Sequence, residues 1–256
     1  MTHTPQFTDT AKSYCDKLFA SSLELDGNDV ADTDPEYAER IVNFAFDQVV
    51  NHNDLDDENR ALATLAVLMG SQAKEAFELM ANAFVSAEFI TLSQMKEVVY
   101  QGTAYLGIGR VLPFLDIANL ICQQQLVDLP LPDAANTTME TRREAGTAKQ
   151  VQYFGPQMED AWKAGGISEW LASNCFGDYY TRDGLTDQQR EMITFCYLVA
   201  QGGCEPQATA HGMANIKLSG KDFMVKVIEQ VMPYIGYPRT LNALTCLNKA
   251  EEQLQA

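Results

Sequence analysis

The feature that most constrains the fold of this 256-residue sequence is a stretch that recurs in its second half. Residues 46–68, FDQVVNHNDLDDENRALATLAVL, align without a gap with residues 176–198, FGDYYTRDGLTDQQREMITFCYL, at an offset of 130. A second block, YLGIGRVLPFL at 105–115, matches YIGYPRTLNAL at 234–244 at an offset of 129. Matched blocks in the same order are typical of a folding unit that has been used twice.

The two matched blocks predict a tandem duplication with one small length change between them. We place the first repeat at 1–127 and the second at 128–256. The segment LVDLPLPDAANTT at 126–138 contains prolines and polar residues, as linkers do, and it joins the two repeats.

The hydrophobic pattern predicts an all-α fold. Apolar residues recur at helical spacing in AERIVNFAFDQVV and ENRALATLAVLM, and no stretch alternates with the period of two that strands require. TDQQ at 186–189 and SGKD at 219–222 are expected to begin helices, since a capping threonine or serine precedes each. Gly202-Gly203 is expected to end one helix, Pro206 to lie in the first turn of the next, and Gly236 to break the last.

The composition excludes several classes of partner. The net charge is −17, so phosphates would be repelled, and neither nucleic acid nor an anionic membrane is expected as a partner. No apolar run approaches the roughly 20 residues of a membrane span, and the N-terminus has no signal-peptide pattern. The six cysteines are scattered without a CxxC pair, which favours free thiols and a cytoplasmic location.

The repeat also separates residues that serve the fold from candidates for chemistry. Residues kept in both repeats, such as the pairs Arg60/Arg190 and Arg110/Arg239, are interpreted as structural. Three polar or reactive residues of the second repeat have no counterpart in the first, where Ala61, Lys74 and Asn82 (or Ala81) stand instead: Glu191, Cys204 and His211. Any active site is therefore expected in the second repeat.

These residues have a plausible geometry on two adjacent helices. Cys204, Gln207 and His211 are spaced i, i+3, i+7, which places them on one helical stripe. Glu191, on the preceding helix, could reach the imidazole and orient it. Cys204 stands at a helix N-terminus, where the dipole is expected to lower its thiol pKa.

A structural interpretation stands beside the functional one. A single histidine on a partly apolar helix is most often a structural residue, and a buried free cysteine behaves as a small inert hydrophobe. The other five cysteines are assigned to the core on that ground. No second His or Cys lies at ligand spacing from His211, so no metal site is expected, and no phosphate-binding glycine loop is found.

The second repeat resembles the carboxymuconolactone decarboxylase family of the AhpD-like superfamily. The resemblance is carried by FGDYYTRDGL, REMI, GGCEPQATAHG and PYIGYPRTLNAL within 176–244, and RREAGTAKQVQYFGP at 142–156 is similar to the family's N-terminal segment. The second repeat therefore covers nearly the whole family unit, and the first matches only through the repeat.

The resemblance implies an AhpD-like helical fold that assembles through helix packing. Single-unit members form rings of three dimers, so a fused double unit is expected to be a homotrimer that mimics the hexamer. One branch of the family decarboxylates a γ-lactone carboxylic acid without a cofactor. The other branch is a thiol peroxidase that uses a glutamate, a CxxC pair and a histidine.

The decarboxylase branch gives the first functional hypothesis. His211 and Arg182 match that branch, and the first repeat has no arginine at the position matching Arg182. His211 would act as general acid–base, Glu191 would orient it and Arg182 would bind the carboxylate of a small substrate. Cys204 and Gln207 would line the pocket, and no cofactor would be needed.

Two other hypotheses stay open. In a peroxidase, Glu191, Cys204 and His211 fall on motif positions, but Gln207 replaces the second cysteine. A sulfenate formed at Cys204 would then need an external thiol reductant. The third hypothesis is a non-catalytic pseudoenzyme or binding protein. The first repeat lacks residues that match Glu191, Cys204 and His211, and the second repeat would likewise have lost its activity.

Overall fold

The computed structural model describes residues 3–19, 24–25 and 28–256, and the regular structure in these ranges is almost entirely helical. The exception in these ranges is a two-residue antiparallel pair, β1 (Glu24–Leu25) with β2 (Asn28–Asp29). The expected all-α fold class is confirmed.

The helices of the first half follow one another with short connections. They are α1 (Asp9–Phe19), α2 (Val30–Thr33), α3 (Pro35–Asn43) with a π-helical extension (Phe44–Val49), α4 (Asp57–Gly70), α5 (Lys74–Ser86), α6 (Leu92–Leu106) and α7 (Ile108–Gln124).

The second half repeats much of this order. Its elements are α8 (Arg142–Phe154), the 3₁₀ turns Pro156–Met158 and Ala161–Ala164, α9 (Ile167–Trp170) with a π-helical extension (Leu171–Tyr179), α10 (Asp187–Gln201), α11 (Glu205–Ser219) and α12 (Lys221–Gln255).

Most of the expected helix boundaries are confirmed. Thr186 caps α10 with a full capping box, and Gly202, with φ 72°, ends that helix. Pro206 lies in the first turn of α11, and Gly236, with φ 74°, breaks α12 into arms at 221–235 and 237–255. The expected cap at Ser219 is wrong, because Gly220 precedes α12 and the Ser219 hydroxyl makes no hydrogen bond within the described residues.

The crossing of α4 and α10 lies at the centre of the fold. Ala61–Gly70 of α4 and Arg190–Ala200 of α10 are buried throughout, so both helices are surrounded by protein on all sides. The backbones approach closely at Gly70, where an added Cβ would lie 2.7 Å from Ala200 Cβ and 2.9 Å from the Tyr197 carbonyl oxygen. Only glycine fits this approach without moving a helix.

One core cluster contains residues from both halves. Leu62, Leu65 and Met69 of α4 pack in the same buried cluster as Ile193 and Tyr197 of α10. This cluster is therefore shared by the two halves, whereas two smaller clusters have buried members from the second half alone. The boundary at 127/128 stays a prediction about sequence units.

Buried arginines connect the halves in a reciprocal manner. Arg190 Nη1 donates to Gln101 Oε1 at 2.9 Å, and Arg60 Nη1 donates to Gln230 Oε1. Arg60 and Arg190 are matched at the offset of 130, and Gln101 and Gln230 at the offset of 129. Each arginine of one half thus binds a glutamine of the other, which agrees with the interpretation of the arginines as structural.

All six cysteines are free thiols. Within the described ranges, no helix combines the length and the hydropathy that a membrane-spanning segment needs.

Replacing Gly70 with alanine is expected to destabilise the protein by about 1–3 kcal/mol, because the methyl group forces α4 away from α10. The matched control is Gly109→Ala in α7, where an added Cβ meets no atom within 4 Å. The control should be neutral or stabilise by up to about 1 kcal/mol. Urea unfolding followed by circular dichroism measures both, and equal stabilities of the two variants would contradict the close packing at Gly70.

Candidate active site

The central element of the candidate site is a histidine–glutamate pair on two successive helices. Glu191 lies in the second turn of α10, and His211 lies in the middle of α11. The turn at Gly202-Gly203 reverses the chain between them, so that α11 packs back against α10. The early part of α10 therefore faces the middle of α11.

The pair is buried and closely hydrogen-bonded. His211 Nδ1 lies 2.8 Å from Glu191 Oε2, and the residues are 7% and 0% exposed. When the Glu191 carboxylate is ionised it only accepts hydrogen bonds, and Nδ1 then carries the proton in this contact. Nε2 is then the nitrogen left for proton transfer. The expectation that Glu191 reaches and orients His211 agrees with this geometry.

Asn215 holds the two helices at this position. Its side-chain Nδ2 donates at 2.9 Å to the Glu191 carbonyl oxygen and at 2.9 Å to the His211 carbonyl oxygen. Asn215 is completely buried. Two buried acceptors make no hydrogen bond within the described residues, namely Glu191 Oε1 and Asn215 Oδ1.

Aromatic rings enclose the imidazole. The rings of Tyr105 and Phe154 stand edge-on to His211, with centroids 5.6 and 5.3 Å away. Tyr105 comes from α6 in the first half, and Phe154 ends α8 in the second. The site is thus built from both halves of the chain, although its histidine and glutamate come from one.

A chain of hydroxyl groups continues from the aromatic wall. The Tyr105 hydroxyl lies 2.6 Å from that of Tyr180, which lies 2.6 Å from Thr194 Oγ1. Gln101 Nε2 donates to the same Thr194 oxygen at 2.9 Å, and the Cys175 thiol donates to the Tyr105 hydroxyl at 3.7 Å. These contacts fix the ring of Tyr105 beside His211.

The surroundings of Glu191 keep neighbouring acidic groups protonated. Burial raises the pKa values of Tyr105 and Tyr180 well above their ordinary range, and the nearby Glu191 carboxylate raises both further. Burial raises the pKa of the Cys175 thiol to about 12, with a smaller contribution from Glu191. The side chains around the pair are therefore neutral near pH 7.

Cys204 has an environment different from the one expected. Its thiol donates to the Leu198 carbonyl oxygen at 3.1 Å, and the described hydrogen bonds do not join it to His211 or Glu191. Burial raises the pKa of this thiol, and the adjacent Glu205 carboxylate raises it further. The prediction that the helix N-terminus lowers the pKa of Cys204 is wrong, because desolvation and a neighbouring negative charge both disfavour the thiolate.

Cys204, Gln207 and His211, predicted to share one helical stripe, differ in their exposure to solvent. His211 is buried, Cys204 is partly exposed and Gln207 is exposed, although all lie at the start or within α11. The described hydrogen bonds include none from the Gln207 side chain. Its assignment as a substrate-contacting residue stays a prediction.

Arg182 lies against the first half of the chain. Its Nε donates to both carboxylate oxygens of Glu97, at 2.9 and 3.1 Å, and its guanidinium carbon is 5.1 Å from the centre of the Tyr100 ring. The described contacts join Arg182 neither to His211 nor to Glu191. The role of carboxylate anchor for the His211 site therefore has no contact to support it.

Sequence reasoning missed several residues that surround the pair: Tyr105, Phe154, Cys175, Tyr180, Thr194 and Asn215. Thr194 matches Thr64 of the first repeat and Tyr105 matches Tyr234 of the second, and residues present in both repeats are assigned to the fold by the repeat comparison. Asn215 stands four residues after His211, and that spacing was a signal that could have been used.

Where the structure describes the chain, no three His, Cys, Asp or Glu side chains come together as a set of metal ligands. No protein-family model matches the chain, and no curated protein matches it significantly.

At neutral pH we expect Cys204 to react with iodoacetamide more slowly than a free cysteine does. Because the thiolate is the reactive form and the pKa is raised, the rate should still be rising above about pH 8.5, where a free thiol is half ionised. Mass spectrometry of the labelled peptide gives the rate. The peptide signal that is absent from Cys204→Ser is the one that reports labelling of Cys204. A rate that reaches its plateau below that pH would contradict the raised pKa.

Proposed function

We propose that this chain is a cofactor-independent acid–base enzyme of the carboxymuconolactone decarboxylase type, acting on a small carboxylate or lactone. The observation that carries the proposal is the buried contact of 2.8 Å between His211 Nδ1 and Glu191 Oε2. It fixes one imidazole nitrogen and leaves the other for a substrate. Burial also excludes the water that would compete for the same proton.

The proposed chemistry needs no group beyond these side chains. Loss of carbon dioxide breaks a carbon–carbon bond and leaves its electron pair on the substrate carbon as an enolate. Nε2 of the protonated imidazole gives its proton to that carbon, and the imidazole regains a proton from solvent once the product has left. Glu191 holds the ring in one orientation and stabilises its charged form.

We further propose an AhpD-like fold built from two tandem repeats, 1–127 and 128–256. Two observations support it. The π-helical extensions at Phe44–Val49 and Leu171–Tyr179 stand at the same place in each half, before α4 and α10. The arginine–glutamine contacts between the halves, described above, join residues at matched positions.

The peroxidase alternative has less support from the geometry. A peroxidatic cysteine needs an accessible thiolate, and Cys204 has a raised pKa and a hydrogen bond to a backbone carbonyl. His211 is engaged by Glu191 and makes no described contact with the thiol. The external thiol reductant that this reaction would require is therefore not part of the proposal.

Replacing His211 with alanine is expected to lower kcat/KM at least about 100-fold, because the proton donor is lost. Glu191→Gln should lower kcat by at least about tenfold, since an amide does not hold the imidazole in the same protonation state. The matched control, Cys204→Ser, should stay within about twofold. Carbon dioxide release from a panel of γ-lactone carboxylic acids measures the rates.

Equal release by wild type and His211→Ala would exclude the acid–base role of His211. No release from any member of the panel would favour the non-catalytic alternative. Turnover of hydrogen peroxide with a dithiol, lost in Cys204→Ser, would favour the peroxidase.

We also propose that the chain forms a homotrimer. Exposed apolar side chains stand at matched positions of the two halves, Ile108 and Leu112 in α7 and Tyr237 and Leu241 in α12, each at least 49% exposed. A surface presented twice by one chain can join copies into a closed ring. Light scattering should give about three times the 28.4 kDa chain mass, and Leu112→Glu with Leu241→Glu should lower it. A monomeric wild type would contradict the trimer.

A further inference from the structure

A cavity of about 800 Å³ lies between α6, α7 and the segment that joins the halves. The residues that line it include Lys96, Tyr100, Asn119 and Arg182, and neither His211 nor Glu191 is among them. Residues 129–134 of the joining segment form one of its walls. Its volume is typical of sites that bind small molecules.

Lys96 brings a buried positive charge to this cavity. The residue is only 5% exposed, and its Nζ donates to Asn119 Oδ1. Among the described residues, no carboxylate lies within ion-pair distance of Nζ. Burial also lowers the pKa of this lysine. A buried ammonium without a counter-ion is costly, and an anion that enters the cavity would compensate that cost.

Arg182 presents a second cation to the same cavity. Arg182 donates to Glu97 through Nε alone, and its two terminal nitrogens make no hydrogen bond within the described residues. Its guanidinium carbon is 5.1 Å from the centre of the Tyr100 ring, and Lys96 Nζ is 5.8 Å from the same centre. The two cations thus flank one aromatic wall.

The acidic groups of the cavity limit the charge that it can accept. Glu97 is paired with both Arg182 and Arg190. Asp133 accepts a hydrogen bond from the Ala135 amide, and Asp183 accepts one from the Asn136 side chain, and neither forms an ion pair within the described residues. They would repel a dianion such as phosphate more strongly than a monoanion.

The remaining wall is apolar. Its members are Leu115, Leu129, Pro130, Leu131 and Pro132. A ligand that suits both the cationic side and the apolar side of the cavity therefore carries one negative charge at one end and an apolar body at the other.

We propose that this cavity binds a small organic monocarboxylate, with the carboxylate on Lys96 and the terminal nitrogens of Arg182, and the apolar body against Tyr100 and the leucines. This site is separate from the His211 site and does not depend on the function proposed for that site. The chain would then hold a ligand at the junction of its halves as well as a substrate beside His211.

Calorimetric titration of the full-length protein with benzoate tests the site. Wild type should bind benzoate with saturation, whereas benzamide, which has the same shape without the charge, should not bind. Lys96→Met and Arg182→Gln should each weaken benzoate binding about tenfold or more, because each removes a charged hydrogen-bond donor. Arg143→Gln, on a surface arginine that stacks on Trp162, is the matched control and should bind like wild type.

A further variant keeps the test decisive if Lys96→Met does not fold. Leu131→Trp puts a larger ring into the apolar wall and leaves the lysine itself unchanged, and it should abolish binding. His211→Ala should bind benzoate normally, whatever its activity. Absence of saturable binding by wild type, equal binding by folded Lys96→Met or Leu131→Trp, or loss of binding only in His211→Ala would each overturn the proposal.

Discussion

The buried guanidinium groups of Arg60 and Arg190 impose the constraint on which the rest of the structure depends. A guanidinium group cannot be buried without hydrogen-bond acceptors, and each of these two finds one acceptor on a glutamine of the opposite half. Each arginine therefore gains its glutamine acceptor only when the halves come together, and the Nε of each makes no hydrogen bond within the described residues. These contacts join α4 to α12 and α10 to α6, and α4 and α10 cross at Gly70, which permits their backbones to approach closely.

This joint core explains why the candidate site is composite. The first half lacks counterparts of Glu191 and His211, yet its α6 supplies Tyr105 to the wall around the imidazole. Gln101, on the same helix, binds both Arg190 and Thr194, so the contact that joins the halves also leads into the hydroxyl chain beside the pair. A half without counterparts of Glu191 and His211 thus still shapes the site by packing.

The positions of the other candidate residues follow from charge and burial. Arg182 lies next to the buried carboxylate of Glu97, and that carboxylate would be costly without the two arginines that it binds. Arg182 is thereby placed at the cavity between the halves and has no described contact with His211. Cys204 lies beside Glu205 and a backbone carbonyl, where a thiolate is disfavoured. The candidate residues therefore separate into three different environments.

The sequence by itself determined the helical class, the ends of α10 and the break in α12, because these depend on local periodicity, capping side chains and glycine conformations. It also indicated that Glu191 and His211 could meet, since a short turn between two adjacent helices leaves few arrangements. Only the tertiary structure decided which neighbours surround the pair, that Arg182 binds Glu97, and that Lys96 is buried beside a cavity. Several of those outcomes depend on contacts between residues far apart in the sequence, such as Glu97 with Arg182 at a separation of 85, and local spacing carries no information about such contacts.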